Sequence, residues 1–121
     1  MTDDVRNIGQ ALATIDEPWQ PHRLASVNDY EVKVVKLRGE FVWHSHPDTD
    51  ELFMVVSGEL TIQLRDRDVV LGPQDVFVVP KGVEHCPRAD GEVHAVLIEP
   101  TGTVNTGDVG GERTAPLREL D

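Results

Sequence analysis

Two histidines separated by one residue, His44-Ser45-His46, precede an acidic cluster of Asp48, Asp50 and Glu51, and a third histidine, His85, lies further along the chain. In an extended strand residues i and i+2 point to the same face, so His44 and His46 project together while Ser45 points away. Imidazole nitrogens and a carboxylate oxygen suit a divalent first-row transition metal, and the set predicts a mononuclear centre for one Fe, Mn, Ni or Zn ion. Pro47 interrupts the strand, so alternation alone does not choose among Asp48, Asp50 and Glu51 as the source of the carboxylate. Three neutral imidazoles, one carboxylate and a dication leave a local charge of about +1, suited to a small anionic or chelating ligand.

The elements that must position these residues are mostly short strands. Val5, Ile8, Leu12 and Ile15 recur at helical spacing and predict one helix over residues 3–15, weakened by Gly9 and ended by Glu17-Pro18. From Pro21 to Glu99, strand patterns alternate with turn signals at intervals near ten residues. The predicted strands are 30–37, ending at Arg38-Gly39, then 41–46, 51–56, 60–64, 69–71, 76–79 and 93–99. Leu60, Ile62 and Leu64 alternate with Glu59, Thr61 and Gln63, the pattern of a half-buried strand. Many short strands without long helices between them predict an antiparallel all-β sandwich or barrel. Residues 101–113 are polar and Gly-rich: either a surface loop or tail, or an arm that crosses the barrel mouth or a partner subunit. Pro116 to Leu120 predicts one last helical turn.

The chain has 121 residues, 39% of them hydrophobic, enough for one domain with a sizeable core. The division expected is an N-terminal helix and arm (1–20), a barrel (21–100) and a C-terminal arm (101–121). No apolar stretch reaches the length of a bilayer span, and Met1-Thr2-Asp3-Asp4 lacks the basic start of a secretory signal, so a cytoplasmic protein without membrane contact is expected. With 11 basic and 22 acidic residues the formal net charge is −11, which repels nucleic-acid phosphates. Cys86 is the only cysteine, which excludes an internal disulfide and a thiolate cluster.

The full order is Gly39-x4-His44-x-His46-x4-Glu51-x6-Gly58, then Gly72-x7-Pro80-x-Gly82-x2-His85. Over residues 30–99 it resembles the two motifs of the cupin superfamily. That resemblance implies a double-stranded β-helix, or jelly-roll, barrel with a short N-terminal helix and a metal inside. It assigns His44, His46 and Glu51 as ligands from the first motif and His85 from the second. Gly39 lies one residue closer to His44 than in the family pattern, the Gly72–Pro80 interval is longer, and Ala89 stands where the second motif carries Asn. The chain is also similar to small bacterial cupins labelled mannose-6-phosphate isomerase-like. If Glu51 faces the barrel interior, Phe53 and Val55 follow it and wall the pocket. Leu52, Met54 and Val56 then face outward, an apolar surface that predicts a homodimer.

The remaining chemistry-bearing residues are weighed against plain structural roles. Ser45 and His44 point to opposite faces, which argues against a serine nucleophile and its base. Cys86 beside His85 has the same disposition and is expected to be a packing cysteine. His94 shares a face with Val96 and Ile98 and is the one visible nominee for a pocket base, or else a surface residue. Trp43, out of phase with His44, is expected to pack between sheets. Arg23, Arg38 and Arg88 are candidate carboxylate anchors, Arg88 being the one placed in the pocket; His22 is uninformative.

Two functional classes remain. One is a metal-dependent enzyme on a small chelating ligand: a dioxygenase, which needs no extra base, or a sugar isomerase, epimerase or lyase, which does. The other is a non-catalytic ligand- or metal-binding sensor. No helix-turn-helix pattern accompanies the barrel to make it a DNA-bound regulator.

Overall fold

Alternation and β-branched runs become eight strands and one short helix in the computed structural model, which describes residues 5–120. The order is α1 (Ile8–Ala13), β1 (His22–Val27), β2 (Tyr30–Glu40), β3 (Glu51–Ser57), β4 (Leu60–Leu64), β5 (Asp68–Leu71), β6 (Val76–Val79), β7 (His85–Pro100) and β8 (Arg118–Glu119). The result is the jelly-roll fold that the motifs imply. Strand β7 organises it: its first part pairs with β4, its second with β3, and β2 runs antiparallel to both parts. Strand β6 closes on β3, and β5 on β4.

Pairing of Phe53 with Leu97 and Val55 with Ala95 fixes which side of each strand faces inward. The inner core contains Val35 and Leu37 of β2, Phe53 and Val55 of β3, Leu60 and Ile62 of β4, and Val93, Ala95 and Leu97 of β7. A second cluster lies outside the barrel wall, where Ala11, Leu12 and Ile15 pack on Val34 and Val96. Met54, Val56 and Ile98 join that cluster and are half-buried, so the chain's own helical segment covers part of the face expected to meet a second subunit. No helix among the described residues is long and apolar enough to cross a membrane.

Several predicted boundaries move. The Asn7 side chain accepts from the Gln10 amide and starts α1 there, so the helix is shorter than 3–15; Asp3 and Asp4 lie outside the described residues. Arg38-Gly39 is not a turn. Gly39, at φ 82°, sits at a register slip through which β2 continues to Glu40. The stretch 41–46 then leaves the sheet and keeps only a single bridge, His44 to His85, instead of forming a strand. The last long strand begins at His85 rather than Val93, because Cys86 to Ala89 pair with β4 or β2 despite showing no alternation. The expected helical turn at 116–120 is instead β8, laid parallel to β1 with Arg118 beside His22.

Candidate metal centre

The four residues come together although they arise from different backbone settings. His44 and His85 exchange both backbone hydrogen bonds, at 3.0 and 2.9 Å, which places their rings on one side with centroids 4.3 Å apart. The His46 carbonyl accepts from the Gly82 amide at 2.9 Å, tying it to the turn just before His85. Gly82 adopts φ 79°, a conformation glycine takes without steric cost. Glu51 opens β3 opposite Val79 and faces inward with Phe53 and Val55. The Asp50 carboxylate takes the Lys81 amide at 2.8 Å and Asp48 is exposed, so the carboxylate left open by alternation is Glu51. One donor atom from each of His44, His46, Glu51 and His85 lies within 4.8 Å of the others, and all four residues are buried.

Hydrogen bonding fixes how these donors present themselves. Nδ1 of His44 lies 2.9 Å from the Val42 carbonyl, and Nδ1 of His85 lies 3.0 Å from that of Val83. A carbonyl can only accept, so each Nδ1 carries the proton and a neutral ring turns the lone pair of Nε2 inward. Outer partners of this kind are what orient metal-ligating imidazoles. Burial, reinforced by the neighbouring His85 ring, pushes His44 down to about 4, so at neutral pH it holds the lone-pair form. Burial would raise Glu51, but its interactions with the neighbouring His46, His85 and Glu99 side chains outweigh it and hold this carboxyl well below the usual range.

Glu51 Oε1 lies 3.2 Å from His85 Nε2 and 3.4 Å from His46 Nε2, and His46 Nε2 makes no hydrogen bond. Two lone-pair atoms facing each other at that distance repel unless something positive lies between them. In the metal-free protein a ring proton does this; a divalent cation does it for all the donors at once. The donor set therefore fits one transition-metal ion.

A profile of the cupin domain matches residues 31–100. The chain belongs to the cupin family. It is 40% identical to the uncharacterised Bacillus subtilis protein YdbB over 82 residues, covering 64% of this chain and 73% of that one. A cupin-2 domain protein of Shewanella frigidimarina has a similar solved structure, with 45% identity, a TM-score of 0.78, and coverage of 79% of this chain and 94% of that one. A germin-like protein of Arabidopsis thaliana, subfamily 1 member 5, is 30% identical over 99 residues, covering 72% of this chain but only 45% of that protein.

Two spaces adjoin the candidate metal centre of this cupin. An inner cavity of about 30 Å³ is bounded by His44, Glu51, Glu99 and Asn105 among apolar walls that include Trp19, Phe41 and Phe53. On the other side, His46 borders an open cleft of about 360 Å³ between the 47–49 loop and residues 100–104. Phe53 thus lines the cavity, whereas Val55 is buried in the barrel core away from it. Arg88 is half-buried on β7, paired with Asp90 at 3.5 Å, and does not border the cavity. His94 lies on the outer face, bound to Glu92 at 2.8 Å, so the structure removes the nominated pocket base. Arg65 stacks over the Trp43 ring at 3.8 Å, and Arg23 pairs with Glu31 and Glu119. Cys86 is buried, and that burial raises its thiol to about 11, which keeps it unreactive.

Three features of this cupin had weaker signals in the sequence. Glu99 and Lys33 occupy inward positions of β7 and β2, with Lys33 Nζ 2.7 Å from Glu99 Oε2. Burial and the adjacent Glu51 charge raise Glu99, against the opposing pull of Lys33. Their signal was parity: a charge in phase with apolar neighbours. Trp19, at φ 64°, stacks on Phe41 at 4.6 Å and donates to the Arg38 carbonyl, closing the cavity. The polar arm folds over its own barrel. Asp108 accepts from the Ser45 amide at 2.8 Å and returns a backbone bond to the Ser45 carbonyl, while Thr106 is fully buried.

Proposed function

We propose that this cupin is a metal-dependent enzyme acting on a small chelating ligand, and that oxygen chemistry of the dioxygenase type suits its site better than sugar isomerisation. The observation that carries this is the buried cluster of three imidazoles and one ionised carboxylate, with the Nε2 lone pairs of His44 and His85 turned inward. A bound Fe, Mn, Ni or Zn ion would supply Lewis acidity and, as Fe(II), redox chemistry with O₂. The chain's own residues set the conditions. His44, His46, Glu51 and His85 hold the ion, and Trp19, Phe41 and Phe53 exclude water from the inner side. A polyol in that cavity would leave most of its hydroxyls without partners, which argues against the mannose-6-phosphate isomerase-like reading. The loss of His94 as a base points the same way.

A larger ligand would approach through the open cleft beside His46. The small inner volume favours one second reading, a non-catalytic metal-binding module. Metal analysis of protein purified without air or chelator, followed by O₂-consumption screening against small catechols and hydroxy acids, separates the two. About one Fe per chain with ligand-dependent O₂ uptake supports the enzyme. Tight stoichiometric metal with no turnover or ligand binding would support the module.

The same reading keeps the protein a homodimer in the cytoplasm. Val76 and Val78 of β6 remain 54% and 42% exposed beside the part of the sheet that α1 leaves open. Light scattering showing a monomer at micromolar concentration would remove the dimer.

A further inference from the structure

The inner cavity contains one carboxyl group that metal binding does not use. Glu99 is 1% exposed and borders the cavity together with His44 and Glu51. Its Oε2 is held by Lys33 Nζ at 2.7 Å, and Lys33 is further placed by the Thr103 carbonyl at 3.5 Å. Glu99 Oε1 has no hydrogen-bond partner. Leaving such an oxygen unpaired in a buried site is costly, and in native proteins an orphan of this kind calls for an explanation. The side of the cavity away from His44 and Glu51 is otherwise apolar except for Asn105, whose side chain is spent on Ala115 and Arg113.

We propose that Glu99, fixed by Lys33, is the ligand-recognition carboxylate of the chamber. It accepts a hydrogen bond through Oε1 from a hydroxyl of the ligand held at the metal centre. The ligand class is a small chelator whose hydroxyl adjoins its metal-binding oxygen, such as an α-hydroxy acid. The geometry supports one such contact and no more: a single free acceptor among walls that reward apolar surface. This inference rests on the metal-centre reading, which supplies the other anchor.

Two probes test it: glycolate and methoxyacetate, which offer similar chelating oxygens but differ in the hydroxyl proton. Each is titrated into Co(II)-loaded protein while the visible cobalt spectrum is followed. Wild type is expected to bind glycolate more tightly by about 10- to 100-fold, the range for a hydrogen bond to a charged group. Glu99→Gln keeps the size of the side chain. Its amide oxygen must face the Lys33 ammonium, leaving NH₂ where the free acceptor stood, so the preference should collapse. A preference due only to the extra methyl would survive this change. Because a half-removed buried pair can unfold a protein, Lys33→Met/Glu99→Met serves as a second variant without either charge. Both variants should still take up about one Co(II). Equal binding of the probes by wild type, binding of neither, or a preference that persists in both variants would overturn the assignment. Failure of wild type to take up cobalt would instead remove the metal-centre reading on which it stands.

Discussion

The four residues of the candidate metal centre fall into two pairs held by different means. Glu51 and His85 open strands β3 and β7, so ladder hydrogen bonds and the inner core behind Phe53 and Leu97 fix them. His44 and His46 sit outside the ladder, on a segment that keeps one bridge to β7, the bond from the Phe41 amide to the Pro87 carbonyl, one bond from Gly82 and the clasp of Asp108 on Ser45. The strand pair is as firm as the barrel itself. The loop pair depends on a few local contacts, one of them from a segment more than sixty residues away. Damage to the first should therefore appear as lost fold stability, and damage to the second as lost metal affinity in an intact barrel.

The largest expected effect is on the strand side. Phe53→Ala should cost about 3–5 kcal/mol by opening a void in the core, measured by chemical denaturation. Protein that remains folded should still bind one metal; normal stability would show that β3 is not anchored as described. Acid is next. Folding favours neutral His44, so the metal-free protein takes up a proton on unfolding. Stability should hold above the ordinary value of 6.5 and fall as pH drops toward about 4, by up to about 3 kcal/mol. Denaturation midpoints that stay flat from pH 7 to 4 would contradict this.

The loop side gives smaller effects, read as affinity. A Cβ on Gly107 would collide with the Ser45 carbonyl oxygen and meet His44 Cδ2 at 3.1 Å, at a backbone φ of 56°. Gly107→Ala should weaken metal binding by about 10- to 100-fold in competition with a chromophoric chelator, the range for losing a supporting contact. Gly110→Ala, at φ 64° with nothing within 4 Å, is the control for backbone strain alone and should leave affinity near wild type. Asp108→Ala removes only the Ser45 clasp and should cost about tenfold or less. If both arm variants bind metal as wild type does, the two pairs are equally secure and the contrast fails.

Much of this arrangement was legible in the residue order. Alternation in 51–56 and 60–64 marks β3 and β4, and the motif spacing brings out all four metal-site residues. Alternation failed where the chain bends or loses its pattern, as in 41–46 and in the opening of β7. Alternation does not separate Asp50 from Glu51; the motif spacing selects Glu51, and the distant Lys81 amide shows where Asp50 is occupied instead. Parity correctly grouped His94 with Val96 and Ile98. That this face is the outer one follows only from the pairing of Phe53 with Leu97, a long-range register. The arm carries no pattern because it works through backbone bonds and small residues, which many polar loops also contain.

The most direct test is metal content by elemental analysis of wild type and of His46→Ala/His85→Ala, one residue from each pair, after loading with Fe(II), Mn(II) or Zn(II) and gel filtration. The expected result is about one ion per wild-type chain and almost none in the folded double variant. Equal metal content in the two proteins, or none in wild type with any of these ions, would contradict a metal centre at His44, His46, Glu51 and His85.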